Sequence, residues 1–249
     1  MAGHSKWANI QHRKGKQDAK RAKVFTKVGR EIIVAAKLGG GDPEMNPRLR
    51  LAIQKAKGVN MPNERIKKAI QSGAGGADGA DYEEIRYEGY GPGAVAFIVE
   101  ALTDNRNRTV GEVRSAFTKA GGALGETGAV TFMFDQVGEV IYPADKASAD
   151  EMFEAVVEAG AENCESGEDI HEITCATDDL AAVRDALEAK YGEAEKSGFV
   201  WRPNTMTECN ESTAESILKL IDALEDNDDV QAVYCNFEAS DEILEKLAG

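Results

Sequence analysis

Residues 137–202 read VGEVIYPADKASADEMFEAVVEAGAENCESGEDIHEITCATDDLAAVRDALEAKYGEAEKSGFVWR. Four segments read as strands: Glu139–Tyr142, about Glu162–Glu165, Ile170–Ala176 and Ser197–Arg202. After the first of them, Ser148 and Glu151 have the spacing of a capping box, opening a helix expected to bury Met152, Val156 and Val157. A second helix is expected from about Asp178 to Lys190. Strand, helix, strand, strand, helix, strand is the order of a ferredoxin-like unit.

The flanks each hold part of another unit. Upstream, Glu83–Tyr90 and Ala94–Thr103 read as strands joined by the Gly91-Pro92-Gly93 turn. Thr109 and Glu112 are spaced as the N-cap and capping-box partner of a helix that buries Val110, Val113 and Phe117 and stops at Gly121-Gly122. Val130–Asp135 reads as a further strand. Downstream, Glu211–Glu225 reads as a helix burying Ile217, Leu220, Ile221 and Leu224, and Val230–Phe237 as a strand. Those late elements complete the set begun at Glu83. The expected middle domain is therefore 82–134 plus 205–249, with a third domain, 135–204, inserted into it. Ser72–Ala80 (SGAGGADGA) reads as the linker in front of it.

The N-terminal part is helical. Asn46-Pro47 reads as an N-cap followed by proline at the first helical position, and the helix it opens carries Leu49, Ile53 and Ala56 inward. Another starts near Pro62 and carries Ile66, Ala69 and Ile70. Before both, a helix is expected from about Gln17 to Leu38, with Ala22, Phe25, Gly29, Ile32 and Ala36 on one side. Its other side carries Lys16, Lys20, Lys23, Lys27 and Arg30 at spacings of 4, 3, 4 and 3, one stripe expected to face outward. The fold class expected is thus α+β: an N-terminal three-helix bundle (residues 1–75) followed by two ferredoxin-like α+β domains, the third inserted into the second.

Charge is segregated along this plan. The chain of 249 residues has 29 Lys/Arg and 44 Asp/Glu, a formal charge of −15. Residues 1–72 hold 17 of the bases and 5 of the acids, which leaves 12 and 39 for the rest, or +12 against −27. Like charges stacked on one helix face repel one another, which a polyanion partner relieves by exchanging its condensed counterions. The candidate nucleic-acid-binding residues are Lys6, Trp7, His12, Arg13, Lys14, Lys16, Lys20, Arg21, Lys23, Lys27 and Arg30. Trp7 among cations suits stacking on an unpaired base, and equally a plug folding back onto the bundle. In Asp104–Thr109 (DNRNRT), Arg106 and Arg108 are candidates for a secondary nucleic-acid contact, or else belong to a polar loop turned by Asp104 and Asn105.

Other chemistry is not signalled. Gly89–Gly93 (GYGPG) lacks the spacing of a dinucleotide or phosphate loop, and no HExxH or GxSxG is present. Cys164, Cys175, Cys209 and Cys235 are isolated, and His4, His12 and His171 share no ligand spacing. We expect no enzyme, no cofactor, no metal and no small-molecule substrate. The longest apolar runs, such as Ala94–Val99, are too short to span a bilayer, and no apolar targeting segment follows the basic start, so a cytoplasmic protein without a membrane partner is expected.

Ala2–Lys23 (AGHSKWANIQHRKGKQDAKRAK) with Val24–Lys27 resembles the start of YebC-type proteins. Met61-Pro62, Tyr87–Gly93 (YEGYGPG), Thr103–Thr109 (TDNRNRT) and Gly121-Gly122 with Leu124-Gly125 are similar to the same family. Two departures stand out. Cys235 lies where members often have His, which argues against an essential histidine there, and Gln11 lies where Lys is common. The resemblance implies three domains around a cleft, a cytoplasmic location and no enzymatic activity. It also implies DNA-binding transcriptional regulation, as for bacterial members including the PmpR-like group. The mitochondrial relatives are translational activators, and bacterial members have also been placed at the ribosome. Two readings follow: a DNA-binding regulator, or a ribosome-associated translation factor binding rRNA through the same domain. A module that binds protein through its acidic domains alone leaves the basic domain unexplained.

Overall fold

The computed structural model describes residues 21–75 and 81–248. Among the described residues three helices come first: α1 (Arg21–Gly39), α2 (Pro47–Gly58) and α3 (Asn63–Ala74). They bury Val28, Ile32, Ala35 and Ala36 of α1 against Leu49, Ala52 and Ala56 of α2 and Ile66 and Ala69 of α3. Asn46 caps α2 by accepting from Leu49 N at 3.1 Å, and its amide donates to Ala35 O and Gly40 O, both at 2.8 Å. One buried side chain thus fixes where α1 ends and α2 begins. Gly73 corrects the expected linker. It is buried inside α3, and a Cβ there would lie 2.3 Å from Ile33 O. The close approach of α3 to α1 requires glycine at that position.

The rest is built on two four-stranded antiparallel sheets. After β1 (Glu83–Tyr90), β2 (Ala96–Thr103), α4 (Arg106–Lys119) and β3 (Ala123–Leu124), the chain enters the second sheet through β4 (Phe134–Pro143). There α5 (Ala149–Glu158), β5 (Asn163–Ser166), β6 (Ile170–Cys175), α6 (Leu180–Tyr191) and β7 (Lys196–Pro203) follow. The strand order β5-β6-β4-β7 is that of the ferredoxin-like unit expected from residues 137–202. The chain then returns through β8 (Thr207–Glu208), α7 (Glu211–Glu225), β9 (Val230–Cys235), β10 (Phe237–Glu238) and α8 (Asp241–Ala248). Strand β9 completes the first sheet, whose order is β3-β1-β2-β9. The short β3, β8 and β10 and the terminal α8 were not expected from the sequence.

Alternation along β2 sends its residues to two cores. Phe97, Val99 and Ala101 pack under α4 and α7, with the Phe97 and Phe117 rings edge to face at 5.6 Å. Ala96 and Ile98 point the other way, toward Val130, Phe134 and Trp201. That second contact joins the sheets, and Trp201 Nε1 donates to Glu100 Oε1 across it at 2.9 Å.

Three local expectations are corrected. Val130–Asp135 is not a strand of the first sheet: Thr131–Met133 form a 3₁₀ turn, and Phe134 already begins β4. The buried Glu88 carboxylate accepts from Gly128 N, Val130 N and Thr131 N at 2.9–3.0 Å and pins that turn. Asn105, not Thr109, caps α4, accepting from Arg108 N at 3.0 Å. Val157 is exposed, and α5 buries Met152, Ala155 and Val156 instead.

Candidate nucleic-acid interface

Of the predicted site, Lys6, Trp7, His12, Arg13, Lys14, Lys16 and Lys20 lie outside the described residues, as does the side chain of Arg21. The rest of the stripe does not face outward as expected. It meets the C-terminal end of α7. Lys23 Nζ lies 2.5 Å from Asp226 Oδ1 and 3.1 Å from Asp226 O. Lys27 Nζ donates to Glu225 O at 2.6 Å. Arg30 donates to Asp228 O at 2.8 Å and pairs with Asp229 Oδ1 at 2.6 Å. The physical reason is the spacing itself: residues 23, 27 and 30 share one helix face, and the last carbonyls of α7 form the negative end of its dipole, to which Asp226 and Asp229 add their own charge. Burial lowers the pKa of Lys27, while the charges of Glu225, Asp228 and Asp226 work to keep it protonated.

Arg108 is likewise paired within the chain, although it is exposed. It pairs with Asp104 at 3.0 Å and with Asp229 Oδ2 at 2.7 Å. Asp229 also accepts from Thr109 Oγ1 at 2.7 Å and from Thr103 Oγ1 at 3.2 Å. Burial opposes its charge, but hydrogen bonds from Arg108, Thr109 and Arg30 outweigh that and hold the carboxyl below the usual aspartate range. Arg106, two positions away, is exposed at the start of α4, and no ion pair to it is found among the described residues.

The sequence reading missed the cations of α3. Arg65, Lys67 and Lys68 are all exposed. The Arg65 guanidinium lies over the Phe25 ring, 5.6 Å from its centroid. Since Gly73 meets Ile33 further along, α3 runs beside α1 in the same direction, which puts Arg65 and Lys68 by the first turns of α1. Lys67 has only an exposed pairing with Glu64 at 3.7 Å. Three cations within four residues of a short helix give no distinctive pattern in sequence, and only the packing shows which end of α1 they join.

A cleft of about 1920 Å³ opens between the bundle and the two sheets, lined by both signs of charge and by Trp201 and Tyr234. On its wall Arg202 pairs with Glu172 and approaches Glu165 and Glu139 at 3.8 and 4.0 Å, while Lys196 pairs with Glu139 at 2.8 Å. Burial pushes the Glu172 carboxyl up to about 7, with Arg202 opposing and the neighbouring Glu139 adding to the rise. Among the described residues, no group of three or more His, Cys, Asp or Glu is placed to hold a metal ion, and no helix is long and apolar enough to cross a membrane.

Comparison with known proteins fits this architecture. A family model described as the TACO1/YebC protein N-terminal domain matches residues 5–76, and one described as the TACO1/YebC second and third domain matches residues 82–237. The chain belongs to the TACO1/YebC family. It is also similar to a solved structure, that of a conserved hypothetical protein from Aquifex aeolicus. The two are 48% identical over 91% of this chain and 94% of that one, with a TM-score of 0.86. Two of the motifs that resemble the family have structural work here. In Tyr87–Gly93 the Glu88 carboxylate holds the 128–131 turn, and in Thr103–Thr109 two hydroxyls and one arginine converge on Asp229 while Asn105 caps α4. The exposed cations beside the start of α1 make the N-terminal bundle the candidate interface.

Proposed function

We propose that this chain is a non-enzymatic, nucleic-acid-binding regulator of gene expression that makes its contact through the N-terminal domain. The observation that carries the reading is the exposed Arg65, Lys67 and Lys68 set beside α1, the helix whose preceding sequence, Lys6–Lys20, is strongly basic. Lysine and arginine side chains of this kind position a protein on phosphate without reading bases. Membership of the TACO1/YebC family supports the same class of function.

The non-enzymatic part of the reading rests on how the reactive groups are used. Burial raises the pKa of Cys164, Cys175 and Cys209 and pushes that of Cys235 up to about 12, the opposite of an activated thiol. Ser166 Oγ is 2.7 Å from His171 Nδ1, while His171 Nε2 is 3.0 Å from Ala147 O. That ring is 2% exposed and lies among helix-packed residues, away from the cleft that Glu165 and Glu172 line on the opposite face of the strands.

DNA is the favoured target from the resemblance. The exposed Arg65, Lys67 and Lys68 form a compact basic end rather than a recognition helix for a duplex groove, which favours the second reading, rRNA on the ribosome. A competition among duplex DNA, rRNA and intact ribosomes at two salt concentrations decides. Preference for one duplex sequence without ribosome retention supports transcriptional control, and retention on ribosomes with only salt-sensitive, sequence-independent DNA binding supports a translation factor. Charge reversal at Arg65 and Lys68 is expected to weaken either interaction at least about tenfold while leaving the thermal melt unchanged. Undiminished binding by that variant would move the interface elsewhere.

A further inference from the structure

We infer that the turn following α7 is an intramolecular stand-in for a phosphate backbone: it occupies Lys23, Lys27 and Arg30 in the free protein and gives up Lys23 and Lys27 when nucleic acid binds, while Arg30 stays paired with Asp229. The inference rests on the nucleic-acid reading of α1 and adds its regulation.

The turn presents oxygen atoms as a polyanion does. Three main-chain carbonyls, of Glu225, Asp226 and Asp228, and two carboxylates, of Asp226 and Asp229, receive three cations of one helix face. The cations are 4 and 3 residues apart, so they span about 10 Å of α1. A duplex carries one negative charge per about 1.7 Å of its axis and can replace the contacts of Lys23 and Lys27.

The contact is also built to separate. Most of the turn is exposed, with Glu225, Asp226 and Asp228 on the surface. Behind it a gap of about 220 Å³ lies between α1 and β9, bounded by Val24, Val28, Val230 and Ala232. Beside that gap, neither polar atom of the Gln231 amide has a hydrogen-bond partner among the described residues. Two domains meant to stay joined fill such a gap and satisfy such a group. Ion pairs at an exposed rim are weak and screened by salt, so a multivalent polyanion that releases counterions displaces them. The deeper Arg30–Asp229 pair then acts as the pivot that remains.

The test is Asp226→Asn/Asp228→Asn, which changes two exposed side chains and leaves Asp229 in place. Its affinity for a labelled DNA duplex and a labelled RNA hairpin is measured against the unaltered full chain over a salt series. The variant is expected to bind about three- to tenfold more tightly, with a log–log salt slope steeper by roughly 1–2. Adding Lys23→Ala/Lys27→Ala is expected to abolish that gain. Unchanged or reduced affinity overturns the inference. So does a gain that survives Lys23→Ala/Lys27→Ala, because it then comes from lower net negative charge rather than from release of the helix. Failure of the unaltered chain and the variant alike to bind either probe would overturn the nucleic-acid reading itself, and this inference with it.

Discussion

Asp229, 3% exposed, and Glu172, 5% exposed, are buried to nearly the same depth and have opposite fates. Asp229 meets two arginines and two hydroxyls, and its carboxyl is held below the ordinary range. Glu172 meets one arginine and a second carboxylate, Glu139, and is pushed up to about 7. Depth alone therefore does not set the charge of a buried acid. The number and sign of the groups that replace water does. The two sites also do different jobs. Asp229 ties α1, β2 and α4 to the start of β9 through fixed charges, whereas Glu172 leaves a titratable group on the wall of the central cleft.

The largest expected effect breaks the first site. Asp229→Ala removes the carboxylate that lies between Arg30 and Arg108 and takes an acceptor from two buried hydroxyls. We expect a loss of about 3–5 kcal/mol in urea unfolding at neutral pH. A loss under about 1 kcal/mol would mean that Asp229 is not what joins these elements. The sign of its pH dependence is set by the depressed pKa. The contribution is complete above the unfolded value near 3.8 and is lost as pH falls through the lower folded value, so it does not vary between pH 5 and 8.

A smaller effect sharpens the same site. Thr109 Oγ1 lies 2.7 Å from Asp229 Oδ2 and 2.8 Å from Thr103 Oγ1. Thr109→Val keeps the shape and removes the donor, for an expected cost of about 1–3 kcal/mol, and Thr109→Ser restores most of it. Asn105→Ala, which removes the helix cap, is expected to cost about 1 kcal/mol and, because Asn105 and Asp229 both hold Arg108, to fall short of full additivity with Asp229→Ala. Thr109→Val is not expected to add, since its partner is already gone. Full additivity of Thr109→Val with Asp229→Ala would place that threonine outside the network.

These two residues show where the sequence was readable. Helix α7 and strand β1 have the bounds expected of them, and the order of elements in residues 137–202 matches, because hydrophobic period and caps are local properties. Thr109 was misplaced because a Thr-x-x-Glu spacing looks the same at a cap and one turn inside a helix, and the deciding partner, Asp229, is 120 residues away. Lys23, Lys27 and Arg30 were assigned to one face correctly, but their partners are about 200 residues downstream, and a helical stripe says nothing of what covers it. Gly73 looked like linker because glycine is ambiguous between freedom and close packing, and only the position of Ile33 O resolves it. Arg65 and Lys68 carried no signal at all, since exposed cations on a short helix are ordinary.

The smallest effect tests the second site through pH. Glu172 keeps its proton in the folded chain up to about 7, while an unfolded glutamate releases it near 4.5. Between those values the folded state holds more protons than the unfolded state. This residue's contribution to stability therefore falls as pH rises from 4.5 to 7 and stays low above it. The shared proton explains why the pair is tolerated. Protonated Glu172 can donate to Glu139, whose own carboxyl is held low: burial opposes its charge, but Lys196 outweighs that. Glu172→Gln supplies the donor at every pH and removes the like charge. We expect the variant to gain on the unaltered chain by roughly 1–3 kcal/mol between pH 5 and pH 8, read as the difference between their urea midpoints at each pH. Parallel pH profiles for the two chains would show that Glu172 is ionised throughout, with Arg202 alone compensating it. Glu139→Gln separates the remaining causes. It takes away the like charge but not the burial, so a pH-dependent slope that persists in that variant assigns the raised value of Glu172 to desolvation, and one that vanishes assigns it to its neighbour.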